Sequence, residues 1–406
     1  MLDLVADLRI DARWIVPMTA REELLEQHSL IVRDGRIAAI LPRAAALQRY
    51  PTTPALERST HVLMPGFIDA QVCFAPPDAA DPDGGTQAAL ATLIRGGVTC
   101  CAGYAAAPAD AARAAAALGL RAVIGMPITD APSAWAADGA ESLTKALSLH
   151  DEYKGHPLIA TAFAARAIST LSDATLARLR LLEDELDLAL LTTLHESAAS
   201  VGASVARHGL RPIERLQALG LLTPALNAAH MVAVEPRDLE QAERAGISLT
   251  LCPEAALAEQ GCLPPIGALA ATGLRLGLGS GGSGAARDAA HADRDLWTDL
   301  KLLHYGSRGP DGGPPVLGCW DVLAAATRGG AAALGLDAEL GSLESGKWAD
   351  LCCLDVGAAA PPSGDPLRAM VRGGGRDLVT DVWVCGRALL LDGQWTRHPS
   401  SLRTPR

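Results

Sequence analysis

Strand-like clusters at both chain ends, enclosing a long alternation of strand-like and helix-like segments, predict an α/β protein. The architecture they imply is a (β/α)8 barrel with a small β-sandwich assembled from the two termini. A third observation, composition, supplies the bulk such a fold needs: the 406 residues are 49% hydrophobic and 20% charged, which excludes global disorder.

The first elements are extended. Leu8–Ile15 is apolar with Arg and Asp interleaved, and Ser29–Leu41 carries Asp34-Gly35 between two apolar runs. That dipeptide supplies the positive φ of a tight hairpin turn. A third run, His61–Ile68, is punctuated by Pro65-Gly66. The middle alternates. Gln87–Ile94, Ala109–Leu118, Ser142–Tyr153 and Asp173–Leu186 read as helices, the last capped by Ser172 or Asp173. Arg121–Met126, Leu158–Phe163 and Leu188–Leu194 read as short apolar strands. The rhythm continues from Ile213 to Leu278 with short connections, the pattern of parallel βα units in series. Strands return with Asp350–Val356 and the pair Val379–Arg387 and Leu389–Leu391. The expected domains are therefore 1–62 with 345–406 (the sandwich) and 63–344 (the barrel).

Charge narrows the functional classes. Lys+Arg 35 against Asp+Glu 46 gives a net charge of -11, which argues against a nucleic-acid or anionic-membrane partner. Nine cysteines without a CxxC spacing suggest small buried thiols. The first residues, Met1–Val16, interleave charge with apolar positions, unlike a signal peptide, and no uncharged run reaches a membrane span; a cytoplasmic location is expected. Ten histidines would suffice for a metal site if they fell at the right places.

Several motifs carry a family resemblance. They are LMPGFIDA (Leu63–Ala70), IRGGVT (Ile94–Thr99), HPLIATAFA (His156–Ala164), TLHES (Thr193–Ser197), AAHMV (Ala228–Val232), LGSGG (Leu278–Gly282), GSLESGKWADL (Gly341–Leu351) and VTDVWVCGR (Val379–Arg387). Together, and in this order along nearly the whole chain, they resemble the amidohydrolase superfamily, in the branch of methylthioadenosine/S-adenosylhomocysteine deaminases and triazine hydrolases. The resemblance implies a barrel that holds one zinc or iron ion at its C-terminal mouth. Such an ion lowers the pKa of a bound water from 15.7 toward about 7, so that hydroxide is available at neutral pH.

Position by position, the resemblance also implies a loss. The two histidines of the family's first-strand HxH are replaced by Gln71 and Cys73, the strand-five ligand by Thr193, and the strand-eight aspartate by Gly281. His230 stands at the strand-six ligand position, and His195 and Glu196 remain beside the strand-five one. Arg166 replaces a mouth histidine and Thr92 a helix glutamate, both vestigial substrate positions. Glutamine and threonine are poor zinc ligands and glycine has no side chain to offer. No bound cofactor is therefore expected, and the segment between Cys73 and Thr92 is too short for the relatives' lid.

The leading expectation is a pseudoenzyme with a structural or regulatory role, forming a homo-oligomer or pairing with an active paralogue. One alternative is a hydrolase of non-peptide C–N bonds with a site rearranged around Cys73, His195, Glu196 and His230. Another is a small-molecule or anion binder anchored by Arg166 at the mouth. The bland readings stand beside these: His230 as a buried relic, His195-Glu196 as a structural polar pair, Gly279–Gly284 as drift rather than a phosphate loop, and Arg372–Arg376 as a flexible loop.

Overall fold

The structure, a computed structural model, describes residues 5–74, 84–281, 295–308, 313–357 and 364–397. Strands β1 (Leu8–Ile15), β2 (Leu25–Arg33), β3 (Arg36–Pro42) and β4 (Ala55–Pro65) open the chain. The β2–β3 turn is Asp34-Gly35, with φ of 53° and 73°, the pair of positive values that the dipeptide foretells. After Pro65-Gly66 the chain enters the barrel as β5 (Phe67–Phe74). It continues as β6 (Val98–Ala105), β7 (Arg121–Pro127), β8 (Ile159–Ala167), β9 (Leu190–Leu194), β10 (Leu226–His230), β11 (Ser248–Leu251) and β12 (Arg275–Leu278). The last strands are β13 (Leu351–Asp355), β14 (Val379–Val384), β15 (Arg387–Leu391) and β16 (Gln394–Trp395).

Strands β5 to β12 form one parallel sheet in sequence order, wound by intervening helices into a barrel. Their interior is filled by Ile68, Ala70, Cys100, Ala102, Val123, Ala162 and Leu191 and closed from below by Ala331, Leu334 and Leu340. Their outer faces bury helix residues such as Leu90, Ile94, Ala115, Leu143 and Leu179. Strands covered on both faces have no polar side to alternate, which is why they read as continuous apolar runs. β6 escapes that reading: VTCCAGYA is small and poor in β-branched residues, yet all but Tyr104 is buried.

The remaining strands form a second sheet, in the order β16-β15-β14-β13-β4-β1-β2-β3. The two chain ends meet at its centre, where β4 pairs antiparallel with β13, Met64 opposite Cys352. Although β2 and β14 lie four places apart in that order, the sheet curls until their turns touch. A Cβ on Gly35 would sit 2.8 Å from the Cys385 carbonyl oxygen, and Ala349 N–H donates to the Gly35 carbonyl at 2.9 Å. The Arg372–Arg376 segment is tied down rather than loose, because Arg376 Nη2 lies 2.8 Å from the Asp295 carboxylate. No helix among the described residues is long and apolar enough to cross a membrane.

Candidate functional site at the barrel mouth

Strand alternation fixes which side chains enter the mouth. Cys100 and Ala102 line the interior, so Tyr104 two residues on does too; Leu191 leads likewise to Thr193 and His195. At β12, a Cβ on Gly277 would face Ala70 and Thr250, and one on Gly279 would meet Gln71 Cβ at 2.7 Å, which places Gln71 inside. The C-terminal strand ends thus gather Gln71, Tyr104, Arg166, Thr193, His195 and His230 at one end of the barrel.

The environments of these groups differ sharply. Gln71 is buried, and its amide nitrogen has no hydrogen-bond partner among the described residues. Thr193 donates its hydroxyl to the Arg166 carbonyl, which turns it away from any ligand role. Arg166 itself is exposed, with no carboxylate in ion-pair reach among the described residues. Cys73 is exposed at the rim. Gly281 N–H donates to the Gln71 carbonyl at 2.7 Å, and a Cβ on Gly281 would lie 2.6 Å from that same oxygen. The glycines of the 279–281 run therefore let β12 close directly on β5, a packing reason that sequence drift does not supply; residues 282–284 lie outside the described residues.

His195 is held from below. Its Nδ1 lies 3.1 Å from the Ala233 carbonyl, so Nδ1 carries the proton and Nε2 bears the lone pair, without a partner among the described residues. Burial lowers its pKa, with the Asp238 carboxylate 3.7 Å away opposing. Asp238 is fully buried and bound by Arg211 at 2.5 and 2.9 Å; burial raises its pKa, but the Arg211 bonds and the Glu235 N–H outweigh it and leave the pKa lowered. Both His195 (φ 50°) and His230 (φ 79°) have left-handed backbones at strand ends, stitched by Val232 N–H to the His195 carbonyl at 2.9 Å. Glu196 follows as a half-buried residue capping nothing, since Ser197 caps the next helix.

Four residues of the site were not singled out in the sequence. Tyr104 brings a buried phenol oxygen into the mouth, near Arg166 and Glu196. The Thr193 N–H faces it without a hydrogen bond of full geometry, and burial raises its pKa. Arg211 and Asp238 form the brace just described; each reads locally as a helix-start residue, and only the fold brings them together. Asp69 sits inside a quoted motif but is fully buried between β5 and β12, accepting from Ser280 N–H at 3.0 Å and from its hydroxyl. Burial pushes its carboxyl up to about 7, against the Ser280 bonds. Thr92, by contrast, is not brought to the mouth. It lies three residues before the end of helix Gly84–Arg95, the end that feeds the start of β6, and its hydroxyl bonds back to the Ala88 carbonyl.

The donor set does not fit a divalent ion at the family's position. Among the described residues no three His, Cys, Asp or Glu side chains gather as a metal-holding group. Backbone of β5 occupies the space that an aspartate at 281 would need.

A closed parallel barrel with its polar side chains at the C-terminal strand ends is the (β/α)8 arrangement. The chain belongs to the Amidohydrolase family, whose model matches residues 62–389. It is 30% identical to a 5-methylthioadenosine/S-adenosylhomocysteine deaminase of Teredinibacter turnerae, covering 95% of this chain and 92% of that protein. It is 32% identical, with a TM-score of 0.90, to a zinc-bound adenosine deaminase from Xanthomonas campestris, covering 98% and 96% of the two chains. The zinc complex of an atrazine chlorohydrolase from Arthrobacter aurescens shares the fold at 19% identity, with a TM-score of 0.85 and coverage of 97% and 99%.

Proposed function

We propose that this chain has lost the metal-dependent deamination named for its relatives and acts as a structural or regulatory member of the family. It would do so as an oligomer with itself or with an active paralogue. One observation carries the reading: the positions that should ligate the ion hold Gln71, Cys73, Thr193 and Gly281, and at Gly281 the backbone has closed over the vacated space. With no ion, a water at the mouth keeps a pKa far above neutrality, and Glu196 has no activated proton to relay.

The test is elemental analysis of the purified chain together with a turnover assay on methylthioadenosine and adenosine. Zinc and iron far below one ion per chain, with no turnover, is the expected result. A stoichiometric ion with turnover removes the proposal. A second reading, a binder of small anions at the mouth, draws on the exposed guanidinium of Arg166, which has no carboxylate in ion-pair reach among the described residues. A hydrolase rearranged around Cys73, His195, Glu196 and His230 would instead show turnover that survives chelation and falls in Glu196→Gln.

A further inference from the structure

A cavity of about 430 Å3 lies at the opposite end of the barrel from the mouth. It opens where the last turn of helix Pro108–Leu118 and the Pro157-Leu158 approach to β8 meet the β14–β15 hairpin and β16. The volume falls in the range of small-molecule sites.

Its lining is one-sided in charge. Arg387 and Arg397 both border it and both are exposed; among the described residues neither has a carboxylate in ion-pair reach and none of the lining residues is acidic. Arg95 adds a third guanidinium next door, 5.4 Å from the centroid of the Trp395 ring. This concentration stands out in a chain with a net charge of -11. The position of Arg397 is built rather than accidental. The preceding Thr396 is bound twice to β15, its N–H to the Leu389 carbonyl at 3.0 Å and its hydroxyl to the Ala388 carbonyl at 2.7 Å. The facing wall is apolar, from Leu118 and Leu158, and includes the carbonyl end of a helix, which repels anions; Leu389 reaches toward it from the strand that carries Arg387. An anion is thus directed to the arginine side, and an uncharged portion to the helix side.

We propose that this cavity binds a small organic oxyanion, with its phosphate or carboxylates on Arg387 and Arg397 and its uncharged part against Leu118, Leu158, Leu389 and Trp395. Guanidinium forks match the oxygen pairs of either group, so the arginines recognise the shared chemistry. The site is independent of the mouth and of any metal there.

Isothermal titration of the full chain with adenosine monophosphate, citrate and uncharged adenosine tests it. Saturable binding of the phosphate or of citrate is expected, identifying which oxyanion the arginines take, with adenosine far weaker. Arg387→Gln and Arg397→Gln should each weaken that binding at least about tenfold, and added salt should weaken it further. Ala117→Trp, which fills the cavity without touching a charge, should abolish it, while Arg166→Gln at the mouth should leave it unchanged. Thermal melts without ligand establish that each variant is folded. No saturable binding of either anion overturns the proposal, as does binding that survives the double arginine variant or disappears in Arg166→Gln.

Discussion

A carboxylate sealed between two strands is an expensive residue, and Asp69 shows what it does with its surroundings. It accepts two bonds from Ser280 across the β5–β12 seam, so it clasps the barrel shut, yet burial pushes its pKa up from 3.8 to about 7. The folded state therefore holds the proton more tightly than the unfolded chain does. Its stabilising share is complete below about pH 4 and is lost as the pH rises through 7. Asp69→Asn keeps the shape and cannot ionise. Denaturant unfolding at pH 4 and pH 8 should show the variant gaining about 2–4 kcal/mol on the parent over that interval. Glu183, raised to about 7 chiefly by burial, pulls in the same direction but cancels in the difference. A difference that does not change with pH would mean the seam keeps Asp69 solvated. The Arg211–Asp238 pair beneath His195 is the opposite kind of residue-scale device. Asp238→Ala leaves the Arg211 guanidinium only the more exposed Glu235 carboxylate at 2.9 Å and the Ala233 carbonyl, and should lower stability by about 1–3 kcal/mol in the same measurement.

At the scale of elements, the junction of β5 with β12 decides what the mouth can become. Restoring ligands one by one looks simple in sequence: Gln71→His, Cys73→His, Thr193→His and Gly281→Asp. The structure separates the last from the others, because a Cβ at 281 would lie 2.6 Å from the Gln71 oxygen and 2.9 Å from Val72 backbone atoms. Gly281→Asp must pry the two strands apart. Alone it should destabilise the chain by about 1–3 kcal/mol, the usual scale of overpacking. Added to the three histidines it should give no more bound zinc than the triple variant, as read by elemental analysis. This contrast also marks where sequence reasoning stops. The barrel was legible because parallel strands and their helices write apolar runs and caps into the chain, as at Ser172, whose side chain accepts from Thr175 N–H at 3.3 Å. Gln71, Cys73, Thr193 and Gly281 were legible as positions to inspect because they fall inside or beside recognisable motifs. The brace of Arg211 and Asp238, 27 positions apart, was not, and neither was the inward phenol of Tyr104 on a strand too small-sided to show itself. Such features arise from the meeting of distant segments, and no local pattern records them.

For the whole molecule, the question is whether the terminal sheet is an attachment or part of one cooperative body. One continuous core joins Val62, Met64, Cys352, Leu354, Val382 and Leu390 of the sheet to Leu90, Ile94, Val98 and Leu118 of the barrel. Across the same boundary, the guanidinium of Arg121, the first residue of β7, meets Asp350, just before β13, at 2.9 Å, with side-chain exposures of 10% and 5%. Asp350 in turn accepts the Cys385 N–H at 2.7 Å, so one carboxylate ties the barrel to two turns of the sheet. An attachment would melt separately and leave the barrel intact. A shared core predicts one transition, with far-ultraviolet circular dichroism and tryptophan fluorescence coincident in urea. Asp350→Ala should then move both signals together by about 3–5 kcal/mol, since it leaves Arg121 buried and unpaired. Pairing Arg121→Met with Asp350→Leu should recover most of that loss, because apolar side chains can fill the space without a charge to solvate. If Asp350→Ala splits the transition in two, the sheet and the barrel are separate bodies, and the core at their boundary contributes less than its continuity implies.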